Sequence, residues 1–190
     1  PMMIQPFWLV QKKNMNLDVG IAIKFLIKHM INNNDDFYYM NEALKEAYKA
    51  YRADEVPVGC VIVNNGKIIA RAHNKRQKKH NVFGHAEVLA IKKATKKLHS
   101  WILDEATIYV TLEPCLMCAG SILQARIKKL VYATPEKKFG VIESRMQIFN
   151  NQSLFNHQIE VVSGIFKLEA SKILKEYFRQ KRKSKIKINK

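Results

Sequence analysis

Cysteine, acidic residues and long apolar runs are all scarce in this chain. Three cysteines among 190 residues cannot build the disulfide framework on which small secreted domains depend, so a reducing compartment is expected, with the cytoplasm the simplest choice. No uninterrupted apolar stretch reaches the ~18 residues that a transmembrane helix needs, and no membrane partner is expected. No internal repeat is visible. Acid is outnumbered about two to one: 16 Asp and Glu stand against 33 Lys and Arg, a formal charge of +17.

What remains is ordinary for a soluble protein, 47% hydrophobic and 26% charged, and 190 residues suffice for a single domain with tails and a real core. The surplus of positive charge points to a polyanionic partner such as nucleic acid or an anionic surface. Richness in Lys, Asn and Ile is also what an AT-rich genome produces, but the basic residues cluster, which favours a binding role. Eight Lys or Arg against one Glu lie between Lys175 and Lys190, next to Tyr177 and Phe178, an electrostatic footprint for RNA in which Lys181, Arg182 and Lys183 are candidate backbone contacts.

Along the chain, residues 1–36 form an extension of unknown role. The extension has no Arg and no Ser, and Asp18 is its sole acid before Asp35, so an organelle-targeting segment is the alternative to a cytoplasmic location. Asn32-Asn33-Asn34-Asp35-Asp36 reads as a polar linker whose last residue caps the next helix. From Phe37 to about Ala53, Met40, Ala43, Leu44, Ala47 and Tyr51 recur at helical spacing. Val58 to Val63 and Lys67 to Ala70, on either side of Asn65-Gly66, read as a hairpin, because that dipeptide suits a tight turn with positive φ. A helix from His85 to about Lys97, a strand at Thr107–Thr111, a helix from Cys115 to about Arg126, strands near Lys129–Ala133 and Ile159–Gly164, and a last helix from Leu168 complete an alternating α/β pattern. The domain is expected over 37–181, followed by a basic tail, 182–190. Between Thr134 and His157 the pattern fails while apolar residues persist, among them Phe139, Val141, Ile142, Met146, Ile148, Phe149, Leu154 and Phe155; a subunit interface and core packing are both open readings.

One stretch organises the rest. Thr107 to Gly120 is a strand entering a helix, with Pro114 at the helix start, and Cys115 and Cys118 on one face of its first turn. Two thiols hold a divalent metal weakly, so a third ligand is needed, and His85-Ala86-Glu87 supplies both a ligand and a general base. A closed structural site would need a fourth ligand from Cys60, His73, His80, His99 or His157, none of which sits in a second ligand pair. A three-ligand catalytic site with an open position is the better reading. Cys60, within an apolar run, is expected in the core.

His85-x-Glu87 followed by Pro114-Cys115-x-x-Cys118 resembles the signature of the zinc deaminases of bases and nucleosides. Together with Glu55-Val56-Pro57-Val58-Gly59, Asn74 and the run Thr111 to Gly120, it is similar to the bacterial-type tRNA adenosine deaminases, over Phe37 to about Lys181. That resemblance implies a three-layer α-β-α cytidine-deaminase-like fold with a mixed sheet of about five strands. It also implies one zinc per subunit on His85, Cys115 and Cys118, a homodimer, and deamination of the wobble adenosine of a tRNA anticodon to inosine, an arginine tRNA being expected. Glu87 becomes the proton carrier, and Asn74, otherwise a strand-ending turn residue, a contact to the purine edge. Lys75, Arg76, Lys78 and Lys79 lie in the adjoining loop and suit RNA phosphates. The chain departs from the family at Asn81-Val82-Phe83-Gly84, where Asp-Pro-Thr-Ala is usual, at Val141-Ile142-Glu143, where small residues are usual, and at Gln147 in place of an acid. Two rival functions stand beside this one. A deaminase of a free base or nucleoside such as guanine or cytidine has the same metal chemistry but no need of the charge; a non-catalytic RNA-binding subunit with structural zinc has no use for Glu87.

Overall fold

The computed structural model describes residues 19–150 and 155–188; residues 1–18, 151–154, with the apolar Leu154, and 189–190 lie outside them. Two units divide between Asp35 and Asp36. The first contains the beginning of helix α1 (Val19–Arg52). The second contains its remainder and, in order, β1 (Gly59–Asn64), β2 (Lys67–His73), α2 (Ala86–Leu98), β3 (Ala106–Leu112), α3 (Leu116–Gln124), β4 (Lys129–Thr134), β5 (Glu160–Ser163) and α4 (Lys167–Ile188).

The strands form one mixed sheet in the order β2-β1-β3-β4-β5. β1 runs antiparallel to β2 and β3, whereas β3, β4 and β5 are parallel. The β1–β2 connection turns at Asn65 and Gly66, with φ of 49° and 69°, the double positive-φ geometry read from that dipeptide. Side chains alternate across β1, β3 and β4, and each set finds its own helical layer. Cys60, Ile62, Ile108, Val110, Leu130 and Tyr132 pack with Ala86, Ala90 and Ala94 of α2 and Ala119 and Ile122 of α3. On the opposite face Val61, Val63, Tyr109, Val131 and Ala133 pack with Met40, Ala43 and Leu44 of α1 and Ala170 of α4. This is the expected three-layer α-β-α arrangement with five strands.

Two boundaries differ from the sequence reading. The polar run Asn32–Asp36 is helical rather than a break, so no cap is formed at Asp36. Its carboxylate is instead a buried acceptor, taking a hydrogen bond from Tyr109 Oη at 2.6 Å and from Lys129 Nζ at 2.9 Å; a tertiary charge-assisted contact replaces the local one. The last helix runs on to Ile188, so Lys181, Arg182 and Lys183 are helical. Between Thr134 and His157, Val141 and Ile142 are buried and Ile148 and Phe149 pack against the core, while Phe139 and Met146 face solvent. Core packing therefore accounts for Val141, Ile142, Ile148 and Phe149.

Candidate active site

Two helix starts make the site. His85 is the N-cap of α2 and Cys115 the N-cap of α3, both with extended backbone and neither using its side chain to cap. Their side chains are therefore free to converge, and Cys118, on the first turn of α3, joins them. His85 Nδ1 lies 3.6 Å from Cys115 Sγ and 3.4 Å from Cys118 Sγ, and the two sulfurs are 3.7 Å apart. Zn–S and Zn–N bonds of about 2.3 and 2.0–2.1 Å at tetrahedral angles demand edges of about 3.8 Å between sulfurs and 3.6 Å between nitrogen and sulfur. The triangle has that size. Among the described residues no fourth His, Cys, Asp or Glu joins the group; Cys60 is buried in the core, as expected.

Electrostatics agree with a ligand set. A hydrogen bond from Cys118, then one from His85, holds the Cys115 thiol down to about 4 against burial. The same contact with Cys115, with burial, pushes Cys118 up, and His85 is raised chiefly by its bond to Cys115. The three groups thus bias one another's protonation within a compact cluster, and a bound cation would compete with protons for the same donor atoms.

Glu87, also on the first turn of α2, is 4% exposed. Its carboxyl contacts the Cys118 thiol yet stays outside the donor triangle. Burial raises its pKa, which suits a group that must hold a proton and release it near neutrality. Asn74, His85, Glu87 and Cys115 line one cleft of about 1200 Å³.

Asn74 follows β2 and is buried; its Nδ2 donates to Glu55 Oε2 at 3.2 Å, which holds the amide in one orientation. The sequence singled out Asn74 but gave no role to Glu55. That carboxylate, 1% exposed, also accepts from the backbone N–H groups of Gln77 (3.1 Å) and Lys78 (2.7 Å), and so fastens the basic loop to the site. Glu113 does the same for the loop after β4, accepting from the N–H groups of Glu136, Ile142, Glu143 and Ser144 at 2.8–3.0 Å and from the Ser144 hydroxyl. Burial alone would raise its pKa, but those hydrogen bonds, the Ser144 hydroxyl foremost, outweigh it and hold the carboxyl below its usual value. Each such bond to a charged acceptor contributes about 1.5–3 kcal/mol, enough in number to offset the several kcal/mol of burying one carboxylate. Buried glutamates of this kind have no periodic signature; their only sequence signal is a charge beside Val56-Pro57 or Pro114 at the end of an element.

The basic candidates divide. Arg76 and Arg182 line the cleft, joined there by Lys137, Lys138 and Lys175, which the sequence reading did not select. Lys75, Lys78, Lys79 and Lys183 are exposed without lining it. Lys181 is engaged by Asp54 Oδ2 at 2.5 Å. Asn81-Val82-Phe83-Gly84 forms a tight turn, with Phe83 N–H donating to Asn81 Oδ1 at 2.9 Å and Gly84 N–H to Asn81 O at 2.9 Å.

A profile of MafB19-like deaminases matches residues 34–182. The tRNA-specific adenosine deaminase of Bacillus subtilis (strain 168) is 47% identical over 150 residues, 79% of this chain and 92% of that protein. The chain belongs to the tRNA-specific adenosine deaminase family. A solved structure from biochemical and structural studies of A-to-I editing by tRNA:A34 deaminases at the wobble position of transfer RNA superposes on this deaminase with a TM-score of 0.69 at 40% identity, over 72% of this chain and 99% of that one. Guanine deaminase from Nitrosomonas europaea, at 22% identity and a TM-score of 0.66 over 74% of this chain and 83% of its own, shares the fold.

Proposed function

We infer that this deaminase hydrolyses the exocyclic amine of the wobble adenosine in a tRNA anticodon, an arginine tRNA being the expected substrate, to give inosine and ammonia. The observation that carries the chemistry is Glu87, buried beside Cys118 but outside the donor triangle. His85, Cys115 and Cys118 would hold one zinc ion. Bound there, zinc would act as a Lewis acid that lowers the pKa of a water from 15.7 toward about 7. Glu87 accepts the proton of the attacking water, delivers it to the ring nitrogen beside the amine-bearing carbon, and protonates the departing amine. Asn74, its amide hydrogen-bonded to Glu55, would read the edge of the purine.

The choice of RNA is supported by the relatives' activity and by the basic lining of the cleft, with Arg76 and Arg182 contributing from different elements. Phosphate contacts of this type position a substrate without reading its sequence. A homodimer is supported by Leu116 on α3 and Met146, 55% and 59% exposed, large apolar groups that a second copy would cover. Among the described residues no helix is long and apolar enough to cross a membrane; the three free cysteines suit the reducing cytoplasm.

The test incubates the protein with an arginine anticodon stem-loop carrying adenosine at the first anticodon position, its cytidine counterpart, and free adenosine, cytidine and guanine, with products measured by mass. Inosine should form in the first RNA, free adenosine should react far more slowly, and the cytidine stem-loop should remain intact. Efficient turnover of guanine or cytidine with the adenosine stem-loop untouched would replace this reading by that of a metabolite deaminase.

A further inference from the structure

Phe139 is 71% exposed, and it lines the cleft that contains His85, Glu87 and Asn74. Its exposure is not for want of apolar company. Val141 and Ile142, two and three residues on, are 5% and 3% exposed and belong to the core. The loop backbone decides which residues turn inward. Glu113 binds the N–H groups of Glu136, Ile142, Glu143 and Ser144, Val141 N–H donates to Pro114 O at 3.1 Å, and Gly140 N–H to Glu136 O at 2.8 Å. Gly140 also bridges Cys115, and a Cβ there would lie 2.4 Å from the Glu113 carboxylate. A ring held outward by so many backbone bonds, beside Lys137 and Lys138, which also line the cleft, combines a stacking face with phosphate-binding charge. That is the chemistry by which proteins hold single-stranded nucleic acid.

Resting on the tRNA reading above, we propose that Phe139 stacks on a nucleobase adjoining the target adenosine, and that Glu113 presents it. Phe139 thereby sets how tightly the RNA is held, and the bond-breaking step is left to the groups around Glu87. An anticodon loop offers unpaired bases on both sides of the reacting one, and any of them has a π face.

The test compares wild type, Phe139→Leu and Phe139→Tyr on the adenosine stem-loop. Phe139→Leu should raise KM about tenfold, the loss expected for one base–aromatic stack, with kcat at saturating RNA, zinc content and thermal midpoint unchanged; Phe139→Tyr should behave as wild type. A second measurement places 2-aminopurine on either side of the target in the inosine-containing product RNA. Its fluorescence should be quenched on binding to wild type and Phe139→Tyr, and remain bright with Phe139→Leu. Unchanged KM and quenching in Phe139→Leu would overturn the proposal while leaving the tRNA reading intact. So would conversion of a wild-type dimer to a monomer by that substitution, since the ring would then belong to a subunit interface. If wild type leaves the stem-loop untouched, the tRNA reading fails and this proposal falls with it.

Discussion

Cys118 is fully buried and forms two edges of the donor triangle, at 3.4 and 3.7 Å. A serine oxygen in its place is a poorer ligand that does not ionise near neutrality, so Cys118→Ser should be isolated with most of its zinc missing. Metal analysis showing full stoichiometry would refute the ligand assignment. Glu87→Ala removes the carboxyl assigned to proton transfer but none of the three donor atoms, and should retain zinc and RNA affinity while losing at least about 100-fold in turnover. Residual activity of a tenth would mean that another group carries the proton. These residues were legible because metal chemistry restricts residue type and helix geometry restricts spacing: His85 and Glu87 share one helical turn, as do Cys115 and Cys118. Glu55 and Glu113 were not, because each acts on backbone N–H groups more than twenty residues away, and an amide donor carries no side-chain identity to read.

The loop after β4 depends on one carboxylate, and its response to pH follows from that. Glu113 titrates below its ordinary value of 4.5 when folded, so the stabilisation it provides is complete above the unfolded value and is lost as pH falls through the lower folded one. Proton uptake by Glu113 should loosen residues 136–144 as pH falls below the ordinary carboxylate range, seen as faster amide exchange at Ile142, Glu143 and Ser144; Glu113→Gln should show that looseness already at neutral pH, and equal exchange in both proteins at pH 7 would contradict it. On α4, Arg182 lines the cleft while Lys181 is taken up by Asp54. Arg182→Ala should therefore lower the slope of log affinity against log salt by roughly 0.7–0.9, and Lys181→Ala by much less. Equal slopes would make the helix end a solubilising surface. The helices and strands themselves were read correctly wherever apolar periodicity was strong. The stretch Asn32–Asp36 was misread because its composition is that of a linker, whereas the carboxylate of Asp36 is committed to Tyr109 and Lys129, contacts visible only after β3 and β4 are in place.

For the whole molecule, the first question is the number of copies. Leu116 and Met146 lie exposed on α3 and the loop after β4, and sedimentation at micromolar concentration should show twice the chain mass; a single monomeric species would leave those side chains without the partner assigned to them. A second property of the whole concerns its capacity to change. The donors that reach Glu55 and Glu113 are chiefly main-chain amides, at Gln77, Lys78, Glu136, Ile142, Glu143 and Ser144. Every amino acid except proline brings the same N–H. Side chains facing the cleft at Arg76, Lys137, Lys138 and Phe139 can therefore be exchanged almost at will while the loops keep their course and the donor triangle its spacing. Selection, in nature or in a library randomised at those four positions, can retarget the enzyme to other nucleic acids at little risk to folding.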